Sequence, residues 1–326
     1  MTERATLNQV TQIGVEATPG DGGDADVLLQ AVSITPGIQV DVNSFRPVGA
    51  KFHTIAALGK EWVEAGIEGA ACYNTLAYLL SGILGAGTPT QQGATAAYKW
   101  TFTPAQSAAD TISTFVVEQG SDARAGSFVY GLVTQLGLRI DRSAATISGA
   151  MIGQAYEDGI TMTASPTALA VQPLQPTEVD VFMDASGAGI GSTQLERALR
   201  VEIELGDRFG PVWALNSSVD GYAAHVETAP SATLKLLVEA DADGMGPLTA
   251  LRGGEKRFIR ILASGPKIAT PHNYKLAWDV CGQVREVSEF SDEDGVYGIE
   301  WTFDIAYDAT WKKAMTAELI NTVKEL

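Results

Sequence analysis

The sequence predicts a mainly β protein: an antiparallel β-sandwich or barrel with one flanking α-helix near residues 70–84 and long loops or arms. Three observations predict this. Apolar and polar residues alternate with a period of two in many segments, one apolar run carries no charge, and clusters of Gly, Pro and Asp separate the segments. The chain of 326 residues is long enough to bury a large core.

The alternation is clearest in "LRVEIEL" (199–205) and "IEWTFDIAY" (299–307). Each segment places apolar side chains on one face and polar ones on the other, as in a strand with one buried and one solvated face. The polar faces carry the acidic residues Glu202, Glu204, Glu300 and Asp304. Weaker alternation predicts further strands at 8–16, 96–104, 111–120, 129–141, 145–154, 233–239, 257–265 and 274–284.

The uncharged run "YNTLAYLLSGILG" (73–85) predicts the helix. Tyr73, Leu76 and Leu80 follow helical spacing and form one apolar stripe. The run is shorter than the ~20 residues that a membrane-spanning helix needs. We therefore expect a core helix and no membrane anchor, and a second short helix is predicted at 310–321.

Two halves are predicted. Residues 1–155 form a first half with an N-terminal arm and the helix, and residues 179–326 form a second β-rich half that completes or duplicates the fold. The Pro-containing segment 156–178 connects them. The Gly-rich loops 17–27 and 184–193 have too few apolar side chains to pack on their own, so we expect them to be disordered or ordered by a partner.

The net charge of −17 disfavours nucleic-acid binding through phosphate contacts. Two distant cysteines argue against a disulfide-built secreted scaffold, and the amino terminus has no apolar signal region.

Motifs for chemistry are missing from the sequence. The three histidines lack metal-ligand spacing, and neither GxSxG nor a P-loop occurs. The segment "EADADG" (239–244) resembles the start of a calcium loop, but its twelfth position is Ala250 instead of Glu. An acidic turn is expected there, with a weak cation site as the alternative. We expect no enzyme activity, no cofactor and no metal.

The order of several segments carries a family resemblance. "TQIGVEATPG" (11–20) is followed by an Asp/Gly-rich arm, then by 59–90, "YKWTFTP" (98–104) and "TFVVEQG" (114–120). This arrangement resembles the major tail tube protein of long, non-contractile-tailed bacteriophages (siphophages). The resemblance is strongest over residues 10–155 and continues more loosely to 316–321.

The resemblance implies a structural protein of the phage virion, made in the host cytoplasm. Subunits would form hexameric rings, or trimeric rings of duplicated folds, that stack into a hollow tube. The tube would surround the tape-measure protein, contact tail-tip and terminator proteins, and conduct the genome without binding DNA specifically. The segment 17–45 would serve as an arm between rings or subunits.

Under this interpretation, Glu202, Glu204, Glu300 and Asp304 are candidates for facing the lumen, where carboxylates would repel phosphate. The helix residues Tyr73, Leu76 and Leu80 would seal the sandwich. The alternatives are another β-rich virion protein, such as a tail terminator, baseplate or decoration protein, and a carbohydrate-binding β-sandwich.

Overall fold

A computed structural model of the protein describes residues 6–215 and 221–326. The chain is mainly β, with 54% of residues in strands and 8% in helices, which confirms the predicted fold class. The predicted strands at 199–205 and 299–307 are present as Ala198–Gly206 and Val296–Ile305.

The α-helices are α1 (Tyr73–Ile83) and α2 (Pro247–Gly253), and short 3-10 turns at Thr6–Asn8, Pro176–Glu178 and Gly187–Gly189 account for the rest of the helical residues. The strands of the first half are β1 (Val10–Val15), β2 (Val27–Leu29), β3 (Val32–Phe45), β4 (Ile55–Ala70), β5 (Thr90–Gln91), β6 (Tyr98–Phe102), β7 (Phe115–Ser121), β8 (Arg124–Asp141) and β9 (Ala145–Gly153). Two short strands, β10 (Glu157–Asp158) and β11 (Thr167–Ala168), lie in the connecting segment. The second half holds β12 (Val179–Asp184), β13 (Ala198–Gly206), β14 (Phe209–Val212), β15 (Ala224–Glu227), β16 (Ser231–Glu239), β17 (Lys256–Ala269), β18 (His272–Val287), β19 (Ser291–Glu293), β20 (Val296–Ile305) and β21 (Met315–Asn321).

The largest sheet has the order β3–β4–β9–β8–β13–β16–β20–β18, and all its neighbours are antiparallel. One face of this large sheet packs on the core. The opposite face, which we call the open face, carries the polar residues of the alternating pattern. The alternating sequence pattern thus separates buried apolar side chains from polar ones, as predicted, because successive side chains of a strand point to opposite faces.

Two smaller groups of strands lie on the other side of the core. One has the order β2–β1–β7–β8–β10 and the other β12–β17–β18–β21–β6–β5. The long strands β8 and β18 each begin in a small group and end in the large sheet. Strand β13 pairs with β8 and β21 with β6, so the two halves of the chain share one sheet and one hydrophobic core.

Helix α1 lies inside this core. All of its eleven residues are buried, including its polar ones. A helix that is apolar nearly all round is stable only when protein surrounds it. Gly82 allows the closest approach, since a Cβ there would lie 2.7 Å from Val133 Cγ2 and 2.8 Å from Phe115 Cε2. The helix therefore occupies the centre of the packing and not merely one side of a sheet.

The prediction of a second helix at 310–321 is wrong. Residues 315–321 form strand β21, in which Met315, Ala317 and Leu319 are buried at every second position. Partners on both sides, β18 and β6, override the local helical spacing. The short α2 was not predicted; it begins with Pro247 and is ended by Gly254 at a φ of 66°.

The two Gly-rich loops are ordered by their own chain, contrary to expectation. The buried Glu16 carboxylate accepts hydrogen bonds from the backbone N–H groups of Gly20 (3.1 Å), Gly22 (3.2 Å) and Tyr130 (2.9 Å). In the second loop, the Asp184 carboxylate accepts from three backbone N–H groups, those of Gly191, Ser192 and Thr193. A carboxylate at the end of a strand thus supplies the contacts that the loop itself lacks.

Candidate functional site

The four predicted lumen residues lie on the open face of the large sheet. Glu202 and Glu204 are on β13, and Glu300 and Asp304 are on β20, with β16 between the two strands. The register aligns Glu204 with Thr233 and Thr233 with Asp304, so these residues form one row across three strands. The structure therefore brings all four carboxylates onto a single surface.

Basic side chains on the same face pair with three of these carboxylates. Lys235 Nζ lies 3.6 Å from a Glu204 carboxylate oxygen, and Arg285 Nη1 lies 3.0 Å from Asp304 Oδ1. Arg200 forms an ion pair with Glu300. The fourth carboxylate, Glu202, stands opposite Arg139 in the strand register. The open face is thus a mixed-charge surface in which acidic groups are partly compensated, a feature that sequence reasoning missed.

The predicted helix residues have a different environment. Tyr73, Leu76 and Leu80 are each 0% exposed. The Tyr73 ring lies 5.5 Å from that of Tyr274, and burial raises the pKa of its hydroxyl. Asn321 Nδ2 donates to the Tyr73 carbonyl oxygen at 3.0 Å, which ties β21 to the first residue of the helix. These residues belong to the interior and cannot contact a partner.

A long hairpin projects beyond the core. Residues 38–60, which we call the arm, comprise the distal parts of β3 and β4, and these parts pair only with each other within the described residues. Its apolar side chains are exposed: Ile38 (54%), Val40 (41%), Val42 (54%), Phe45 (57%), Val48 (107%), Phe52 (78%), Ile55 (63%) and Leu58 (77%). Exposed apolar patches of this kind are common at protein interaction surfaces.

One stripe of the arm continues the inner face of the large sheet. Val32 and Ile34 are buried in the core, and the same alternating positions lead outward to Ile38, Val40 and Val42. The sheet therefore extends past the end of its own core with its apolar side uncovered. The arm predicted at 17–45 coincides only in part with this hairpin. Its first part is a largely exposed loop that is held to its own chain by hydrogen bonds to Glu16 and Thr163, and only its last part, 38–45, belongs to the arm 38–60.

The arm differs in charge from the rest of the chain. It carries Arg46, Lys51 and Lys60 against the single carboxylate Asp41, whereas the whole chain has a net charge of −17. Neither Arg46 nor Lys51 takes part in an ion pair among the residues that the structure describes. The arm thus presents apolar and basic groups together, and acidic surface on another molecule would complement it.

The acidic segment 239–244 forms a turn that leads towards α2. Asp241 Oδ1 accepts hydrogen bonds from the backbone N–H groups of Gly244 (2.8 Å) and Asp243 (3.1 Å), and Arg197 pairs with Glu239 at 2.6 Å. In the described part of the chain, no group of three or more His, Cys, Asp or Glu side chains is arranged to hold a metal ion.

The most buried charged cluster surrounds Arg208. Its guanidinium donates to the Ile83 carbonyl oxygen at 2.6 Å and pairs with Glu227 and Asp110. The end of α1, the loop before β7 and the β14–β15 hairpin therefore meet at one side chain. These contacts hold the three elements together, and Arg208 and Glu227 also line a neighbouring cavity of about 490 Å³.

No helix within residues 6–215 and 221–326 is both long and apolar enough to cross a membrane. Comparison with protein families finds none whose model matches this chain, and comparison with curated proteins finds no similar sequence. The function is therefore inferred from the fold, the open face and the arm.

Proposed function

We propose that the protein is the structural subunit of a phage tail tube. Copies would assemble into rings, and the rings would stack into a hollow conduit for genome delivery in the virion. Its partners would be further copies of itself, the tape-measure protein inside the tube, and the tail-tip and terminator proteins at the ends. The proposed role is structural and requires no catalysis and no cofactor.

The uncovered inner face of the arm carries this proposal. An apolar stripe that continues from a buried core into solvent is completed when another protein covers it. Both long edges of the arm also have backbone groups free to pair, and an exposed strand edge invites association. In a repeating assembly, neighbouring subunits cover such apolar stripes and pair with such strand edges. On a protein that stays monomeric, the same surfaces would lower its solubility.

The open face supports a wall function. Eight strands of one chain form a continuous sheet with a polar surface, and neighbouring copies can extend that sheet laterally. Such a wall closes on itself as a barrel does, which removes the unpaired edges. A polar lining of mixed charge avoids the row of cationic phosphate contacts that would hold DNA in place.

Assembly of the purified protein tests the proposal. We expect electron microscopy and sedimentation velocity to show rings and tubes, formed alone or on a tail-tip seed. The variant Val42→Ser/Leu58→Ser should remain folded but lose assembly, because it removes two exposed apolar groups of the arm. A matched control, Val171→Ser/Leu215→Ser, changes two exposed apolar residues outside the arm and should assemble normally.

Other outcomes are informative. Single rings without stacking would favour the terminator or decoration class. A protein that remains monomeric at high concentration and beside tail-tip components would refute the proposed function.

A further inference from the structure

Apart from the additional strands β2, β5 and β6 in the first half and β14, β15, β19 and β21 in the second, the chain contains two units with the same order of elements. The first unit runs β1, β3, β4, α1, β7, β8, β9, and the second runs β12, β13, β16, α2, β17, β18, β20. Each consists of a first strand, a hairpin, a helix, a second hairpin and a returning strand. Each also has a Gly-rich loop after its first strand, held by Glu16 in one unit and Asp184 in the other.

The strand pairings of the two units correspond one by one. The first strand pairs with the strand after the helix, as β1–β7 and β12–β17. The hairpins are β3–β4 and β7–β8 in one unit, and β13–β16 and β17–β18 in the other. The returning strand pairs on both sides, as β8–β9–β4 and β18–β20–β16.

An irregularity in the ladder fixes the correspondence at residue level. The β8–β9 register shifts between Val133 and Gln135, and the β18–β20 register shifts between Val284 and Glu286. Aligning the two bulges makes Val287 the equivalent of Leu136. Following the paired positions across the sheet then makes Ile38 on β3 the equivalent of Leu205 on β13.

Within the chain, the two units join through β8 and β13. The pairing runs from Arg200 opposite Asp141 to Gly206 opposite Gln135, and it places Leu205 opposite Leu136. These two leucines are 6% and 2% exposed. The junction therefore buries apolar side chains and satisfies two strand edges at once.

The equivalent edges at the two ends of the large sheet have no such partner. Among the residues that the structure describes, strand β3 pairs only with β4, and the edge of β18 and β19 beyond Gln283 is unpaired on the side that β17 occupies earlier in the strand. Ile38, the equivalent of the buried Leu205, is 54% exposed. The free edge of β3 thus corresponds to the edge that β13 uses in the internal junction. The free edge of β18 and β19 corresponds to the edge that β8 uses.

We propose that the β3 edge of one copy pairs antiparallel with residues 286–292 of a second copy and places Ile38 opposite Val287. This contact repeats between chains the junction that β8 and β13 make within one. It rests on the proposed self-assembly and names the surfaces involved. Because the two surfaces differ, the contact is heterologous, and repeating it gives a ring where the rotation between copies closes. Pro36, the equivalent of Ile203, lacks an N–H group, so the junction has at most one ladder hydrogen bond fewer than its internal counterpart.

Disulfide trapping tests this register. Directly opposed residues of antiparallel strands have Cα atoms about 4.5–5.5 Å apart, within the ~4.4–6.8 Å that a disulfide spans. In one chain the two positions are separated by seven strand spacings, about 34 Å along the sheet, so only an intermolecular bond can form. The natural cysteines, Cys72 and Cys281, are buried and burial raises their pKa values, which keeps them out of the reaction.

We expect the Ile38→Cys/Val287→Cys protein to give a ladder of covalent multimers under mild oxidation. A mixture of the two single-cysteine proteins should give covalent dimers only. The control Ile38→Cys/Gln283→Cys keeps an exposed thiol on the same strand but out of register, and its ladder should fall to the level of a single-cysteine protein.

The outcomes separate this inference from the proposed function. Tubes in electron micrographs without a register-specific ladder would overturn the β3–β18 junction and leave the tube intact. A ladder without tubes would support the junction and refute the conduit. Equal ladders from the in-register pair and the control would also overturn the proposed register.

Discussion

Glu16 and Asp184 show how one side chain can order a segment that has little else to fold it. Each carboxylate accepts hydrogen bonds from three backbone N–H groups, and each is nearly buried, at 6% and 8% exposure. A neutral amide could accept at only one atom and would turn its N–H₂ group towards donors. The carboxylates therefore stabilise both loops through interactions that need their charge.

We predict that Asp184→Asn lowers the free energy of unfolding by about 1–3 kcal/mol, the range for lost hydrogen bonds to a charged group. Glu16→Gln should have a similar effect. The exposed Glu196 makes none of these contacts, so Glu196→Gln should stay within about 0.5 kcal/mol. Urea denaturation measures all three, and equal stabilities of the control and Asp184→Asn would contradict the role of the carboxylate.

His225 provides a prediction on pH. Its Nδ1 lies 3.0 Å from the Tyr130 hydroxyl, and burial lowers the pKa of the imidazole below its ordinary value of 6.5. The unfolded state thus binds the proton more tightly, so stability is complete above about pH 6.5 and declines as the pH falls. His225→Gln should remove this part of the decline. Urea denaturation midpoints measured between pH 5 and 8 test this prediction. If the midpoints of the wild-type and His225→Gln proteins change equally with pH, His225 is not the source of the decline.

At the scale of elements, α1 and the arm make a matched pair, since both carry leucines in opposite environments. Leu76 is 0% exposed and Leu58 is 77% exposed. Leu76→Ala should cost about 2–5 kcal/mol of stability, because it leaves a cavity in the core. Leu58→Ala should leave the stability of the monomer within about 0.5 kcal/mol and weaken assembly. Denaturation and sedimentation together measure this, and the reverse pattern would contradict both assignments.

Sequence periodicity predicts helices and strands whose two faces differ in polarity. It fails where tertiary contacts determine which secondary structure a segment adopts. The alternation in β13 and β20 and the apolar run of α1 were sufficient to predict those elements. Residues 315–321 also have an apolar pattern, but pairing with β18 and β6 makes them a strand. The arm was predicted at 17–45 and therefore only in part, because the alternation of "GIQVDVNSF" does not show that the strand continues into a hairpin whose apolar side nothing covers within the described residues.

At the scale of the whole molecule, the candidate lumen residues could be predicted to share a face but not to be paired. Glu204 and Asp304 meet Lys235 and Arg285, which come from other strands and become neighbours only through the register of the sheet. Net charge therefore overstated the negative character of this surface. Spatial pairing across strands is the information that composition and spacing do not contain.

The charge of the open face gives a prediction on transport. Under the proposed function, a phage with the Glu202→Lys/Glu204→Lys/Asp304→Lys protein should eject its genome more slowly, because added cations would hold phosphate. Tube assembly should be unchanged, since these side chains project from the open face and are not the backbone groups that pair strands at the sheet edges. The isosteric Glu202→Gln/Glu204→Gln/Asp304→Asn protein controls for lost ion pairs. Ejection at the normal rate in the lysine variant would place this face outside the lumen.

The last strand has a consequence for the order of events during synthesis. Strand β21 joins β18 to β6 and is fastened to α1 through Asn321, so the central helix stays partly uncovered until residue 321 has emerged from the ribosome. Folding during translation can prepare the sheets but not complete the interior. A nascent chain therefore cannot present the finished fold to its neighbours, and its uncovered apolar helix remains prone to aggregation until β21 is added.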